Sequence, residues 1–188
     1  MVKLEKGQKI SLQKESPNLK RLLIGLGWDP AKTLLRAIDI DASVICIDDN
    51  GKKQDVVYYG HLKNSSRSII HHGDNLTGVG DGDDEQIEII LDKVPEKISK
   101  LVIIINIYQA LSRRQSLDKV KNCFVRAEDM DNHKQLLRYD IDESFQKGET
   151  GIFVADVYRY NGEWKFSARG QGAKVKDINE MVRMQCKH

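Results

Sequence analysis

Residues 73–85 restrict the fold of this chain more than any other segment, since they combine acidic side chains with four glycines and contain no lysine or arginine. Carboxylates this close together repel one another, and each glycine loses extra backbone entropy when it is ordered. The segment is therefore costly to fold alone. A hard cation would remove both costs, because it neutralises the charge and accepts backbone carbonyls as further ligands.

Calcium is the cation that suits such a loop. Ca²⁺ takes roughly six to eight oxygens at about 2.3–2.6 Å in flexible geometry, whereas Mg²⁺ requires a rigid octahedron and keeps its waters. The segment is not an EF-hand, because the residues that follow it, 86–91, have the pattern of a strand rather than a helix. The alternative is a solvated acidic turn between two strands.

A second acidic pair, Asp39 and Asp41, lies at the start of an apolar run that ends at Ile47. Residues two apart on a strand point to the same face, so we expect these two carboxylates to project together. Two like charges beside a buried run are unfavourable unless a cation or backbone amides share them. Alone, such a pair is typical of a strand entry. Together with residues 73–85 it favours a common calcium site.

Short, β-branched apolar segments recur along the chain and predict a mainly β fold. The predicted strands are 8–12, 21–26, 42–47, 56–59, 68–71, 86–91, 100–107, 122–127, 135–139, 151–160 and 163–168. Their regular spacing is typical of an antiparallel β-sandwich, which we expect to form one domain over residues 1–188. Asn161-Gly162 predicts a type I′ hairpin. One short C-terminal helix is predicted after Asp177, and a helical turn at 110–115.

Composition excludes several classes of protein. The net charge is only +2 although 31% of residues are charged, which argues against a nucleic-acid partner. Three cysteines without a C-x-x-C motif do not make a disulfide framework, and Cys46 and Cys123 lie in apolar runs where we expect burial. The N-terminal residues lack a signal-peptide core, and no apolar run is long enough for a membrane span. We therefore expect a cytoplasmic protein.

Several strings of residues together resemble one bacterial family. They are 25–29 (GLGWD), 39–43 (DIDAS) and the long run 71–87, with later matches at 122–126, 138–140, 160–166 and 170–172. From about residue 4 to residue 172 the chain is similar to the TerD family, which comprises bacterial tellurite-resistance and general stress proteins. The resemblance implies a calcium-binding β-sandwich in the cytoplasm, with no established enzymatic activity.

The sequence departs from that family at a few positions. Ala37 stands where the family usually has a further aspartate, which leaves the number of bound ions open, and His72 stands where a threonine is common. We expect Ca²⁺ to bind here, with enough oxygen ligands for two neighbouring ions. The predicted metal ligands are Asp39, Asp41, Asp74, Asn75, Asp81, Asp83, Asp84 and Glu85. We predict no catalytic residue and no organic cofactor.

Other polar residues near these motifs have structural explanations. His71 and His72 have no third histidine or cysteine close in sequence, so hydrogen bonding that orients the acidic loop is favoured over transition-metal ligation. Arg126 and Arg138 could pair with the acidic cluster or with nearby aspartates, and they carry no functional inference.

Three functions are compatible with the sequence. The favoured one is a non-catalytic, calcium-binding stress protein that acts through contacts with related proteins of the same stress system. A metal-dependent hydrolase that uses the acidic cluster is the alternative, but a nucleophile–base motif is not recognisable. An extracellular adhesive or sugar-binding sandwich is the third, which the missing signal peptide disfavours. The basic segment 174–188 is a candidate contact surface, or else a helix docked on the sheet edge.

Overall fold

Two six-stranded sheets make up the frame of the molecule. The computed structural model describes residues 1–29, 38–73, 82–141 and 145–187. In chain order the strands are β1 Val2–Leu4, β2 Lys9–Ser11, β3 Arg21–Asp29, β4 Ile40–Ile47, β5 Lys53–Val57, β6 Ile69–His71, β7 Glu85–Ile90, β8 Lys100–Ile107, β9 Lys121–Asp129, β10 Lys134–Asp140, β11 Gly151–Tyr160 and β12 Glu163–Ala173. The helices are α1 Leu12–Glu15, α2 Ala110–Arg113 and α3 Ile178–Gln185, with 3₁₀ turns at Leu91–Lys93 and Leu117–Lys119.

The first sheet has the strand order β1-β10-β9-β3-β7-β6, and the second has β2-β12-β11-β8-β4-β5. Neighbouring strands are antiparallel, except that β1 runs parallel to β10. Inward-facing residues of both sheets share one core, in which Leu22 and Ile24 of β3 lie in the same cluster as Val44 and Ile103. The predicted antiparallel β-sandwich is therefore confirmed.

Strands β4 and β8 are buried on both faces. Ala42 and Val44 face the core between the sheets, whereas Ile45 and Ile47 belong to a second apolar cluster on the outer face of the second sheet. Helix α3 covers that outer cluster through the buried side chain of Met181. Burial on both faces explains why these strands read as continuous apolar runs rather than as an alternation.

The C-terminal helix begins as predicted. Asp177 is its N-cap and accepts a hydrogen bond from the backbone N–H of Glu180 at 3.1 Å. The helix lies on the outer face of the second sheet, not at its edge. Across the described ranges, no helix combines the length and apolarity that crossing a membrane requires.

Ten of the eleven predicted strands have both ends within three residues of the observed ends. The departures are β12, which continues beyond its predicted end at residue 168 to Ala173, and β1, which was not predicted. Strand β5 ends at Val57, before the predicted end at residue 59, because Tyr58 and His61 exchange backbone hydrogen bonds in a tight turn. Asn161 and Gly162 both have positive φ, of 51° and 77°, as the predicted type I′ turn requires. Cys46 and Cys123 are buried and unbridged, as expected.

Candidate metal centre

Two glycines of β3 create the space that the acidic segment occupies. A Cβ placed on Gly25 would lie 2.2 Å from Oδ2 of Asp83, and one on Gly27 would lie 2.6 Å from the carbonyl oxygen of Gly82. No side chain fits at such distances, so the backbone of residues 82–84 crosses the outer face of the first sheet directly over β3. The glycines of the string 25–29 are thereby explained by close approach rather than by a turn.

Asp83 binds an arginine of the neighbouring strand. Nε of Arg126 donates to Oδ1 at 2.7 Å, and Nη2 donates to Oδ2 at 2.6 Å, which makes a bidentate pair. The Asp83 side chain is only 2% exposed. Hydrogen bonds from Arg126 to Asp83 and then to Glu128 raise the pKa of the guanidinium, and Arg126 also holds the pKa of Glu128 below its usual range. This pairing decides between the two partners that the sequence left open for Arg126.

The next two carboxylates point in other directions. Asp84 Oδ2 accepts the backbone N–H of Trp28 at 2.7 Å, while Glu85 Oε2 reaches across to the second sheet and accepts the N–H of Ala42 at 2.6 Å. Burial raises the pKa of Asp84, and the charge of Asp83 adds to that effect. Three consecutive acids thus bind three different strands. Together they fasten the start of β7 to β9, β3 and β4.

His71 supports this arrangement from between the sheets. Its ring is buried, and Nδ1 accepts a hydrogen bond from the backbone N–H of Gly73 at 3.1 Å. In a neutral ring the proton is then on Nε2, which lies 3.2 Å from the Ala42 carbonyl oxygen and 3.4 Å from Glu85 Oε2. The hydrogen-bonding role predicted for His71 is confirmed: it orients the first residue of the acidic loop.

Asp39 and Asp41 lie on the outer side of the second sheet, as their spacing predicted. The intervening Ile40 faces the core, whereas Asp41 is buried in a cavity beside its cross-strand partner Asn106. Asp39 Oδ2 lies 3.3 Å from Nη1 of Arg113. Burial raises the pKa of Tyr59, and the charge of Asp41 adds to that effect.

Five of the eight predicted ligands are described: Asp39, Asp41, Asp83, Asp84 and Glu85. Asp74, Asn75 and Asp81 lie outside the described residues, as does Ala37. Glu85 and Asp41 lie at the same end of β4, one beside the edge that β5 does not cover and one on the outer face. Within the described ranges, no three histidine, cysteine, aspartate or glutamate side chains are arranged to hold a metal ion by themselves.

Sequence reasoning missed a group of side chains around Asp41. Ser43 and Asn106 point to the same outer face, and Tyr58, Tyr59 and Tyr108 surround the cavity above them. A signal for the first two was present, since each polar residue interrupts an apolar run at a position that shares the face of Asp41. The tyrosines come from chain segments far apart in sequence, so no local pattern marks them as neighbours.

The TerD domain model matches residues 1–184. Stress response protein SCP2 of Bacillus subtilis is 42% identical over 195 residues, which cover 96% of this chain and 97% of the relative. Tellurium resistance protein TerD of Serratia marcescens is 43% identical over 174 residues, which cover 91% of this chain and 90% of the relative.

A solved structure shows the same fold. It is the crystal structure of a homologue of telluride resistance protein (TerD) from Streptomyces coelicolor, which superposes with a TM-score of 0.74 over 91% of this chain and 100% of that chain. The two sequences are 21% identical, so the likeness is one of fold.

Proposed function

The chain belongs to the TerD domain family of tellurium-resistance and general stress proteins, and from that premise we propose that it is a calcium-binding, non-catalytic module of a bacterial stress response. The observation that supports calcium most strongly is the concentration of hard oxygen donors at one end of β4. Asp39 and Asp41 lie at the start of β4, and Glu85, from a segment far away in sequence, accepts a hydrogen bond from Ala42 of the same strand.

The donor set suits a calcium ion. Carboxylate oxygens are the ligands that Ca²⁺ prefers, and Asp39 Oδ1 is buried with no hydrogen-bond partner among the described residues. A buried carboxylate oxygen in that state is costly, and a cation removes the cost. We propose that Asp39, Asp41, Asp84 and Glu85 hold the ion or ions with Asp74, Asn75 and Asp81 of the loop.

Asp83 stays a predicted ligand with a second role. Both of its oxygens already accept from Arg126, so its ion pair fixes the position of the segment whether or not an ion is bound. In this proposal the bound cation supplies charge neutralisation and joins residues 73–85 to the strand that follows Asp39. The ordered loops then present a recognition surface to related proteins of the same system in the cytoplasm.

The test is calorimetric titration of chelator-treated protein with Ca²⁺ and, separately, with Mg²⁺. We expect Ca²⁺ to bind clearly more tightly than Mg²⁺, and we expect the heat of calcium binding to be lost in Asp41→Asn. Asp92→Asn is the matched control, because Asp92 is an exposed acid on the 3₁₀ turn after β7. Equal affinity for the two metals, or the absence of a calcium heat, would contradict the proposal.

A second measurement separates the module from the hydrolase alternative. We expect no turnover of phosphoester substrates by calcium- or magnesium-loaded protein. Metal-dependent hydrolysis that disappears in Asp41→Asn would instead favour the hydrolase.

A further inference from the structure

The outer face of the second sheet changes from apolar to polar along β4. Ile45 belongs to the apolar cluster that α3 covers, whereas Ser43 and Asp41, which precede it on the same face, line a cavity of about 490 Å³. Strand β8 changes at the same level, since Ile104 belongs to the apolar cluster and Asn106 lines the cavity. The floor of the cavity is therefore a polar part of the sheet, beyond the end of the apolar cluster.

Two neutral side chains of this floor are buried with an oxygen that accepts no hydrogen bond. Ser43 is 1% exposed and Asn106 is 7% exposed. Ser43 Oγ and Asn106 Oδ1 have no hydrogen-bond partner within the described part of the chain. A polar atom buried in this way costs stability unless a ligand satisfies it. A hard cation can do so, because amide carbonyl oxygens are among the ligands that Ca²⁺ accepts.

The strand register places these oxygens beside a predicted metal ligand. Asp41 and Asn106 are Cα partners across β4 and β8. Side chains paired in this way on one face of an antiparallel ladder have Cβ atoms about 4.5–5.5 Å apart. Ser43 follows Asp41 by two residues, so it points to the same face. A carboxylate, an amide and a hydroxyl group thus lie next to one another on the floor of one cavity.

We propose that Asn106 and Ser43 are further ligands of the calcium site, with Asn106 Oδ1 and Ser43 Oγ bound to the same ion as Asp41 on the outer face of the second sheet. This inference rests on the proposed calcium function and names two ligands outside the acidic motifs. Neutral oxygens complete the coordination without adding repulsion among carboxylates. They also provide ligands where, within the described ranges, no three ionisable side chains are arranged around one ion.

Basic side chains near the floor leave these oxygens to another partner. Arg113 is held elsewhere, with Nη1 at 3.3 Å from Asp39 Oδ2 and its guanidinium 5.1 Å from the centroid of the Tyr108 ring. Lys176 lines the cavity, yet it donates no hydrogen bond to Ser43 Oγ or Asn106 Oδ1. A bound metal ion or water therefore has to satisfy the two oxygens, and calcium titration of variants distinguishes these two cases.

The test is calorimetric titration of the chelator-treated full chain with Ca²⁺. Loss of a side chain that only orients a metal ligand already costs about 10–100-fold in affinity, so Asn106→Ala should weaken calcium binding at least about tenfold. Ser43→Ala should weaken it about threefold or more. Ser167→Ala is the matched control, because Ser167 is a buried serine of β12 in the same sheet and should leave the affinity unchanged.

Asn106→Asp separates a ligand from a structural residue. It keeps a side-chain oxygen and adds a charge, so calcium should bind at least as tightly as in the parent protein. In chelator the same variant should unfold more easily, because a second carboxylate then faces Asp41. Weakened calcium binding in both Asn106→Ala and Asn106→Asp would assign Asn106 a structural role and overturn the proposal.

The remaining outcomes are equally decisive. Unchanged affinity in Asn106→Ala or in Ser43→Ala would remove that residue from the ligand set and leave its oxygen to water. Ser43→Ala deletes a single oxygen atom, so it tests the site even where Asn106→Ala fails to fold. In either case, calcium binding that is still lost in Asp41→Asn would leave the proposed function intact. Absence of calcium binding in the parent protein would contradict both proposals.

Discussion

The carboxylates of the two acidic segments differ in the partners that the protein gives them. In the segment 83–85, Asp83 binds Arg126, Asp84 binds the Trp28 N–H, and Glu85 binds the Ala42 N–H. In the segment 39–41, Asp39 Oδ2 lies 3.3 Å from Arg113 Nη1. Asp39 Oδ1 is buried and accepts no hydrogen bond from the described residues. Each acid of the first segment accepts at least one hydrogen bond from the protein, whereas Asp39 keeps one buried oxygen that accepts none from the described residues.

This difference indicates a division of labour within one predicted site. The segment 83–85 is fixed by the frame of the sandwich and positions the loop that precedes it. Asp39 and Asp41 lie at the end of β4 that is not paired with β5, since β5 pairs only with residues from Val44 onward. Substitutions that break the Asp83–Arg126 pair should therefore mainly affect folding, and those at Asp39 and Asp41 should mainly affect ligand binding.

The largest expected effect is that of Arg126→Met. This change leaves the Asp83 carboxylate buried beside Gly25 without its bidentate partner, which should cost about 3–5 kcal/mol in the free energy of unfolding. Chemical denaturation measures it. Arg183→Met is the control, because Arg183 forms an exposed pair with Glu180 at 3.8 Å and should change stability by less than about 1 kcal/mol. Equal losses in the two variants would erase the contrast between the acidic segments.

Gly25→Ala should have the next largest effect, about 2–3 kcal/mol of lost stability, because the added methyl group displaces Asp83 from Arg126. Gly7→Ala is the comparison: it has no atom within 4 Å of the new Cβ and carries only the backbone strain of its φ of +86°, about 1–2 kcal/mol. Combined with Arg126→Met, Gly25→Ala should add less than it costs alone, since both changes break the same pair. Full additivity in that cycle would argue against the pairing.

The smallest expected effect is that of Asp84→Asn, and its sign depends on calcium. Burial raises the pKa of Asp84 in the folded protein above that of an unfolded aspartate, so the ionised carboxylate opposes folding at neutral pH. In chelator the variant should be more stable than the parent by about 0.5 kcal/mol at pH 7. The gain should vanish as the pH falls below the unfolded pKa, where both states are protonated. In saturating calcium the variant should be the less stable protein. A variant that behaves identically with and without calcium would remove Asp84 from the ligand set.

Local signals predicted those parts of the fold that local interactions determine. Asn161-Gly162 made its turn because both residues tolerate positive φ, and Asp177 capped α3 through a contact three residues away. The alternation around Ile40 placed Asp39 and Asp41 on one side of the sheet. Each of these features depends on neighbours within a few residues, which a single sequence displays.

The pairing of Asp83 with Arg126 could not be predicted in this way. It depends on the register that sets Gly25 opposite Arg126 across β3 and β9, a relation between residues far apart in the chain. The different directions of the Asp83, Asp84 and Glu85 side chains could not be predicted either. These residues lie where a loop becomes a strand, so neither the strand period nor the helix period tells which way each side chain points. Helix α3 packs on a sheet face because the outward-facing residues of β4 and β8 are apolar. The sequence alone does not show which of the apolar residues in these strands face outward.

The measurement that tests the central claim most directly is the thermal unfolding midpoint of the parent protein in calcium and in chelator. If Ca²⁺ binds only the folded state, a 100-fold excess over Kd adds about 2.7 kcal/mol and raises Tm by about 5–10 °C. Asp39→Asn combined with Asp41→Asn should abolish that increase while leaving the chelator curve nearly unchanged. Coincident curves for the parent protein with and without calcium would contradict the account and leave residues 73–85 as a solvated acidic turn.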